Sequence, residues 1–255
     1  NRANITHSEG NLKMVGVGTN YDNVPGTILF DVTDSGGWYW EYRSIGNDAA
    51  TMIAIADTSA TGEAGSLFNI HDSTYNCAVG VGAVGYNGGG NKVIGNGSEG
   101  TSSSYGDTWT AGDIIGVAVK SGAIWFSKNG TWQNSATAAE IAAGTTTNAA
   151  ATGLTISVCP AFGINGTQSG TANYGQDSSF AATETAQGNQ DANNKGDFYY
   201  APPAGLKALC TDNLSAPEIA LPGDYFNPVA YAGTGAASQA QTVGFQPDFV
   251  WIKNR

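Results

Sequence analysis

Short apolar runs bounded by glycine, proline, asparagine and serine recur along this 255-residue chain, and none is periodic enough for a long helix. Residues 12–17, 27–32, 38–42, 51–56, 77–84, 114–119, 124–127, 154–164 and 171–174 carry the apolar, β-branched and aromatic density that predicts strands. In the third run Trp38, Trp40 and Tyr42 alternate with Tyr39 and Glu41, so one face of that strand is strongly aromatic. Ile124 and Phe126 oppose Trp125 and Ser127 in the same way. Large inward side chains from two facing sheets are what a sandwich core requires. Lys120-Ser121-Gly122-Ala123 reads as a hairpin connection, and Asn129-Gly130 carries the signature of a type I′ turn, whose two central residues need positive φ. Between these runs lie long Gly/Ser/Asn-rich loops at 86–105, 134–153 and 177–197, with room for a helical turn or two at 136–144.

Composition strengthens the all-β reading. Glycine contributes 36 residues and charged residues only 12%, about half the usual share. The balance of 10 Lys+Arg against 21 Asp+Glu leaves a net charge of −11 and no basic stripe for phosphates, which argues against a nucleic-acid partner. The same acidity disfavours anionic membranes, and no apolar run approaches the ~18 residues of a membrane span.

Motifs for chemistry are sparse. Cys77, Cys159 and Cys210 lack metal or disulfide spacing and read as small buried apolar residues. Gly80 to Gly85 satisfies GxGxxG, but Tyr86-Asn87-Gly88-Gly89-Gly90 stops any helix that would meet a pyrophosphate. Asp191 to Asp197 opens like a calcium loop, yet Lys195 and Pro202 stand where ligands belong, leaving only an irregular cation site through Asp191 or Asp197. His71-Asp72 are neighbours that point to opposite faces of a strand, and His7 is the other histidine. Glu9, Glu41, Glu63, Glu99 and Glu140 fall on different elements, with no spacing that marks a glycosidase pair. No catalytic residue, metal site or cofactor is expected. Tyr75, Tyr86, Tyr105 and Trp132 sit in or beside polar, glycine-rich segments. They are the candidate ligand surface, unless the rings cap the ends of the core.

Several runs, taken in order, resemble the SPRY (B30.2-like) family. They are Trp38-Tyr39-Trp40-Glu41, Gly112-Asp113-Ile114-Ile115-Gly116-Val117-Ala118, Ile124 to Gly130, Cys159-Pro160-Ala161-Phe162, and Thr171 to Gln176 with Phe180 after it. The resemblance implies an antiparallel β-sandwich that binds partners without catalysis. Pro202-Pro203-Ala204-Gly205-Leu206-Lys207-Ala208-Leu209 is similar to the tail that follows SPRY domains in phage proteins, and residues 244–255 to the start of a second module fused to them. These likenesses imply a bacteriophage virion protein of the tail-fibre or spike type. Its expected partners are other virion subunits and a host-surface protein or glycan, and it is expected to be a homo-oligomer at the particle surface. A purely architectural spacer or capsid-decoration domain is the alternative, and a glycan-degrading enzyme a third.

Departures matter too. The segment 168–200 is stretched by a Gly/Asn/Thr-rich insertion, so ligand contacts of eukaryotic relatives do not transfer. Proline punctuation at Pro202-Pro203, Pro217 and Pro222 predicts a sandwich over residues 1–213, then a linker and the first strands of a second, truncated β module over 214–255. The start at Asn1 and the stop at Arg255, just after the strand-like Phe249-Val250-Trp251-Ile252, suggest a piece of a longer polypeptide.

Overall fold

The computed structural model describes residues 5–18, 21–46, 49, 51–57, 83–95, 101–214, 221–236 and 238–253, and statements of absence refer to these. The strands in chain order are β1 (Ile5–Ser8), β2 (Lys13–Gly16), β3 (Tyr21–Pro25), β4 (Phe30–Asp31), β5 (Trp38–Gly46), β6 (Met52–Asp57), β7 (Val84–Asn87), β8 (Asn91–Ile94), β9 (Thr101–Ser104), β10 (Ile114–Lys120), β11 (Ala123–Lys128), β12 (Thr131–Trp132), β13 (Ser157–Asn165), β14 (Ser169–Asn173) and β15 (Lys207–Ala208). They form two sheets. The first runs β1-β2-β14-β5-β10-β11-β12, with β15 added in parallel to β5, and the second runs β3-β13-β6-β7-β8-β9, with β4 beside β13. All other ladders are antiparallel, as the all-β sandwich expectation requires.

The aromatic face of β5 fills the space between the sheets. Trp40 meets Phe30 of β4 edge-on with ring centroids 5.7 Å apart, and Tyr42 stacks on Phe162 of β13 at 5.4 Å. Val117, Val119, Ile124 and Phe126 complete that layer from β10 and β11. The opposite face of β5 is also buried, which alternation alone does not reveal. Tyr39, Ala118, Ala123 and Trp125 pack under Ile141, Phe198 and Leu206. Ile141 comes from the short helix α1 (Ala138–Ala143), and the other two from the long return segment after β14. The sequence dictates that helix locally: Thr137 and Glu140 form a reciprocal capping box, and Gly144 ends it at φ 72°.

Both tight hairpins form as the dipeptides predict. Ser121 and Gly122 (φ 50° and 76°) join β10 to β11, and Asn129 and Gly130 (φ 49° and 78°) join β11 to β12. Other elements depart from expectation. Residues 27–32 yield only the two-residue β4, because the register along β13 slips by two residues between Ala161↔Pro25 and Val158↔Phe30 and the intervening residues leave the ladder. The expected loop 86–105 contains β8 and β9. Thr101–Ser104 is exposed at every position and is held to β8 by its ladder alone. The expected strand at 77–84 lies largely outside the described residues.

The chain divides into two compact units, Asn1–Leu214 and Ser215–Arg255. In the second, the described residues form a single 3-10 turn at Pro222–Asp224 and no strand. Phe249, Val250, Trp251 and Ile252 are all exposed there. Strand propensity in that run goes unrealised because no ladder partner is present among the described residues.

Trp40→Ala is expected to cost about 3–5 kcal/mol in urea denaturation, from lost burial and the cavity left at Phe30. Thr101→Ala on the exposed edge strand is expected to stay within about 0.5 kcal/mol of the parent.

Candidate functional site

The candidate aromatics part company in the structure. Tyr75 lies outside the described residues. Tyr86 and Tyr105 belong to the core and present no surface. Tyr86 packs 5.6 Å from Tyr105 and 5.5 Å from Phe126, with its hydroxyl donating to the Asp107 carbonyl. The Tyr105 hydroxyl accepts from the Phe126 N–H at 3.4 Å, and burial lifts its pKa to about 12. The reason is local: Gly88 to Gly90 turn β7 back into β8, so Tyr86 sits on an inward strand position and not on a loop. Trp132 alone keeps the expected half-exposed setting, at the outer end of β12.

Trp132 has company that the sequence reading missed. Its ring meets Tyr39 edge-on at 6.4 Å, and Tyr39 in turn meets Phe198 at 5.0 Å. The next two residues, Tyr199 and Tyr200, are half-buried, with rings 5.0 Å apart. Tyr200 lies over Gly130, where an added Cβ would come within 2.7 Å of its ring, so the Asn-Gly turn is also the seat of an aromatic side chain. Trp132 and Tyr200 thus both border the β11–β12 hairpin, with Tyr199 against Tyr200, and these three partly exposed rings are the aromatic patch. The signal in the sequence was the Tyr-Tyr pair just before Pro202-Pro203, in a segment set aside as an insertion.

What fixes the patch is a buried carboxyl. Glu41 faces outward from β5 under the return segment and is fully buried. One oxygen accepts from the Tyr39 hydroxyl at 3.0 Å and the Tyr200 N–H at 2.8 Å, and the other from Asn173 Nδ2 at 3.0 Å and the Tyr199 N–H at 2.9 Å. The two tyrosine backbones are therefore pinned directly to the central strand. Gly116, opposite Glu41 on β10, makes room, since a Cβ there would lie 2.9 Å from the Tyr39 hydroxyl. Arg43 adds an ion pair to Glu184 at 2.6 Å further along the same segment. Burial raises the Glu41 pKa to about 7, against the four donors, which favour the ionised form.

The remaining candidate residues have structural roles. Asp191 accepts from Ala208 N–H at 2.7 Å and Asn213 Nδ2 at 2.6 Å on one oxygen, and from Asn193 and Lys195 N–H, both at 2.8 Å, on the other. Burial opposes the charge, but these donors outweigh it and lower the pKa, so Asp191 ties the return segment to β15. Glu140 belongs to the helix cap. Cys159 is buried and Cys210 half-buried, while Cys77, Glu63, Glu99, His71 and Gly80 to Gly82 lie outside the described residues. Among the described residues no cluster of three or more His, Cys, Asp or Glu side chains is placed to hold a metal ion.

The Glu41 carboxyl has a pH signature with a definite sign. A carboxyl whose folded pKa lies near 7, above its unfolded value of about 4.5, binds more protons in the folded state between those values. Its contribution to stability is full below about pH 4.5, declines as pH rises to about 7, and is flat above. Subtracting the urea-midpoint profile of Glu41→Gln from that of the parent is expected to isolate this decline. Parallel profiles would refute the assignment.

A family model for the SPRY domain matches residues 37–177, from β5 through β14 and the turn after it. A second, described as a domain of unknown function (DUF7483), matches residues 221–255. No curated protein matches the chain. Among solved structures, the SPRY domain of human HERC1 is similar, with 13% identity, a TM-score of 0.45, and coverage of 66% of this chain and 91% of that one. The matched span takes in more than half of the residues, along with both hairpins and the aromatic strand, and so the chain belongs to the SPRY domain family.

Proposed function

We propose that this chain is a non-catalytic adhesion or assembly domain exposed on a bacteriophage virion, of the tail-fibre or spike type. It binds a host-surface protein or glycan, or a neighbouring virion subunit, by surface complementarity. SPRY domains are generally interaction modules without catalysis. The observation that carries the reading here is the preset aromatic patch. Trp and Tyr give large contact area with few rotors to freeze, and rings fixed in advance lose little entropy on binding. Trp132, Tyr199 and Tyr200 are partly exposed, and two of the three are pinned through their backbones to a buried carboxyl. The virion setting rests on the low-charge, Gly-rich composition and on the likeness of the Pro202-to-Leu209 tail to those of phage proteins.

A purely architectural role, as a spacer or decoration domain in a homo-oligomer, is favoured by one specific feature. The exposed run Phe249-Val250-Trp251-Ile252 is the kind of apolar surface that subunit contacts cover.

Immunogold labelling of purified phage particles with an antibody to this domain is expected to place it at fibre or spike tips. Gold confined to the capsid shell or to fibre shafts favours the architectural role, and no gold on particles removes the virion assignment. At the tip, Trp132→Ala with Tyr200→Ala is expected to weaken host-cell attachment on the order of tenfold or more. Undiminished attachment would take the patch out of the interface.

A further inference from the structure

Trp132, Tyr199 and Tyr200 are half-buried, yet each keeps its polar tip at the surface. Trp132 Nε1 and the two tyrosine hydroxyls make no hydrogen bond within the described residues, and none of these three atoms is buried. The hydroxyls of Tyr39, Tyr86 and Tyr105, by contrast, are engaged inside, with Glu41 and with backbone groups. The patch therefore joins ring surface to one N–H and two O–H groups that are free for a ligand.

Charge narrows the choice of ligand. Burial first, then Tyr199, Glu41, Glu184 and Asp113, raise the Tyr200 pKa, which identifies the acids beside this ring. Each of those acids is already matched. Glu184 pairs with Arg43 at 2.6 Å, Asp113 pairs with Lys128 at 3.4 Å, and Glu41 is buried under four donors. A charged ligand of either sign would shed water here and find no free counter-charge. Size narrows it further, since three part-exposed rings fall far short of the ~800 Å² that each partner gives a stable protein interface. Such an extent suits one or two sugar rings, which carry an apolar C–H face and a rim of hydroxyls.

We propose that the patch takes the uncharged hexopyranose units of a host-surface glycan. The C–H face of the sugar lies on the exposed ring surface, where the negative π cloud meets positively polarised hydrogens. Its hydroxyls exchange hydrogen bonds with Trp132 Nε1 and with the Tyr199 and Tyr200 hydroxyls. This assignment rests on the adhesion reading and narrows its partner to a neutral glycan.

The chain has six tryptophans, and the indole resonance of Trp132 is the one that Trp132→Phe removes. The full chain, labelled with nitrogen-15 at its indoles, is titrated with the methyl glycosides of glucose, galactose and mannose. Expected is a saturable shift of the Trp132 resonance with at least one of them, while the other indoles stay in place. The uronide and the primary amine made from the sugar that binds are each expected to bind about fivefold more weakly or worse, because their charge finds no partner. Tyr200→Ala is expected to weaken binding about tenfold, with the unmoved indoles reporting an intact fold. The assignment is overturned if none of the three glycosides moves Trp132, or if the uronide or the amine binds as tightly as its parent. If that happens while Trp132→Ala with Tyr200→Ala still cripples attachment, the adhesion reading stands with a protein partner. Glycosides that bind while the double variant attaches normally leave the sugar site standing and sink the adhesion reading instead.

Discussion

Glu41 brings together parts of the chain that lie far apart in sequence. Its carboxyl sits on the outer face of the central strand, and its donors come from β5 itself, from β14 and from residues 199–200. A carboxyl taken out of water without such partners is expensive, by several kcal/mol even after relaxation. The return segment is thus more than a covering for Tyr39 and Trp125, because its backbone N–H groups complete the hydrogen bonding of a carboxyl that the sheet has already buried. The Arg43–Glu184 and Lys207–Asp34 ion pairs, the second with its ammonium 4.2 Å from the Trp38 ring, stitch the same layer down on either side. The aromatic patch inherits its rigidity from this arrangement.

Much of the sandwich was legible in the sequence because short apolar and aromatic runs bounded by turn residues advertise strands. The alternation of Trp38, Trp40 and Tyr42 with Tyr39 and Glu41 and the Asn129-Gly130 turn each impose a local geometry that tertiary contacts then use. Elements without such a signature stayed hidden. Thr101-Ser102-Ser103-Ser104 has no apolar residue, and only its pairing with Asn91–Ile94 makes it a strand. The burial of Tyr86 and Tyr105 went unseen for a related reason: the glycines around them read as loop, whereas they let a strand double back and turn both rings inward.

The site was less legible than the fold. Glu41 is visible as a polar residue in an aromatic strand, but nothing local says that the far tail of the domain supplies two of its donors. Asp191 poses the mirror problem. Its neighbours resemble a cation loop, and only the structure shows that Ala208 and Asn213 have taken the lone pairs a metal would need. In both cases long-range backbone donors decide what a carboxylate does.

The parallel pairing of β15 with β5 has a consequence for how the chain is made. Lys207 and Ala208 lie against Trp38 and Tyr39, so the central strand of the first sheet is finished by residues translated about 170 positions later. Ribosomes add roughly 5–20 residues per second. For several seconds, therefore, a nascent sheet built from β5, β10 and β11 holds Tyr39, Ala118 and Trp125 covered on that side only by α1 and its flanks, until Phe198 and Leu206 emerge. Such a sheet invites annealing with a neighbouring nascent copy through the same half-covered surface. Speed of synthesis through the tail, and whatever chaperone meets the chain before residue 209 emerges, set the yield of this domain as firmly as its final stability does.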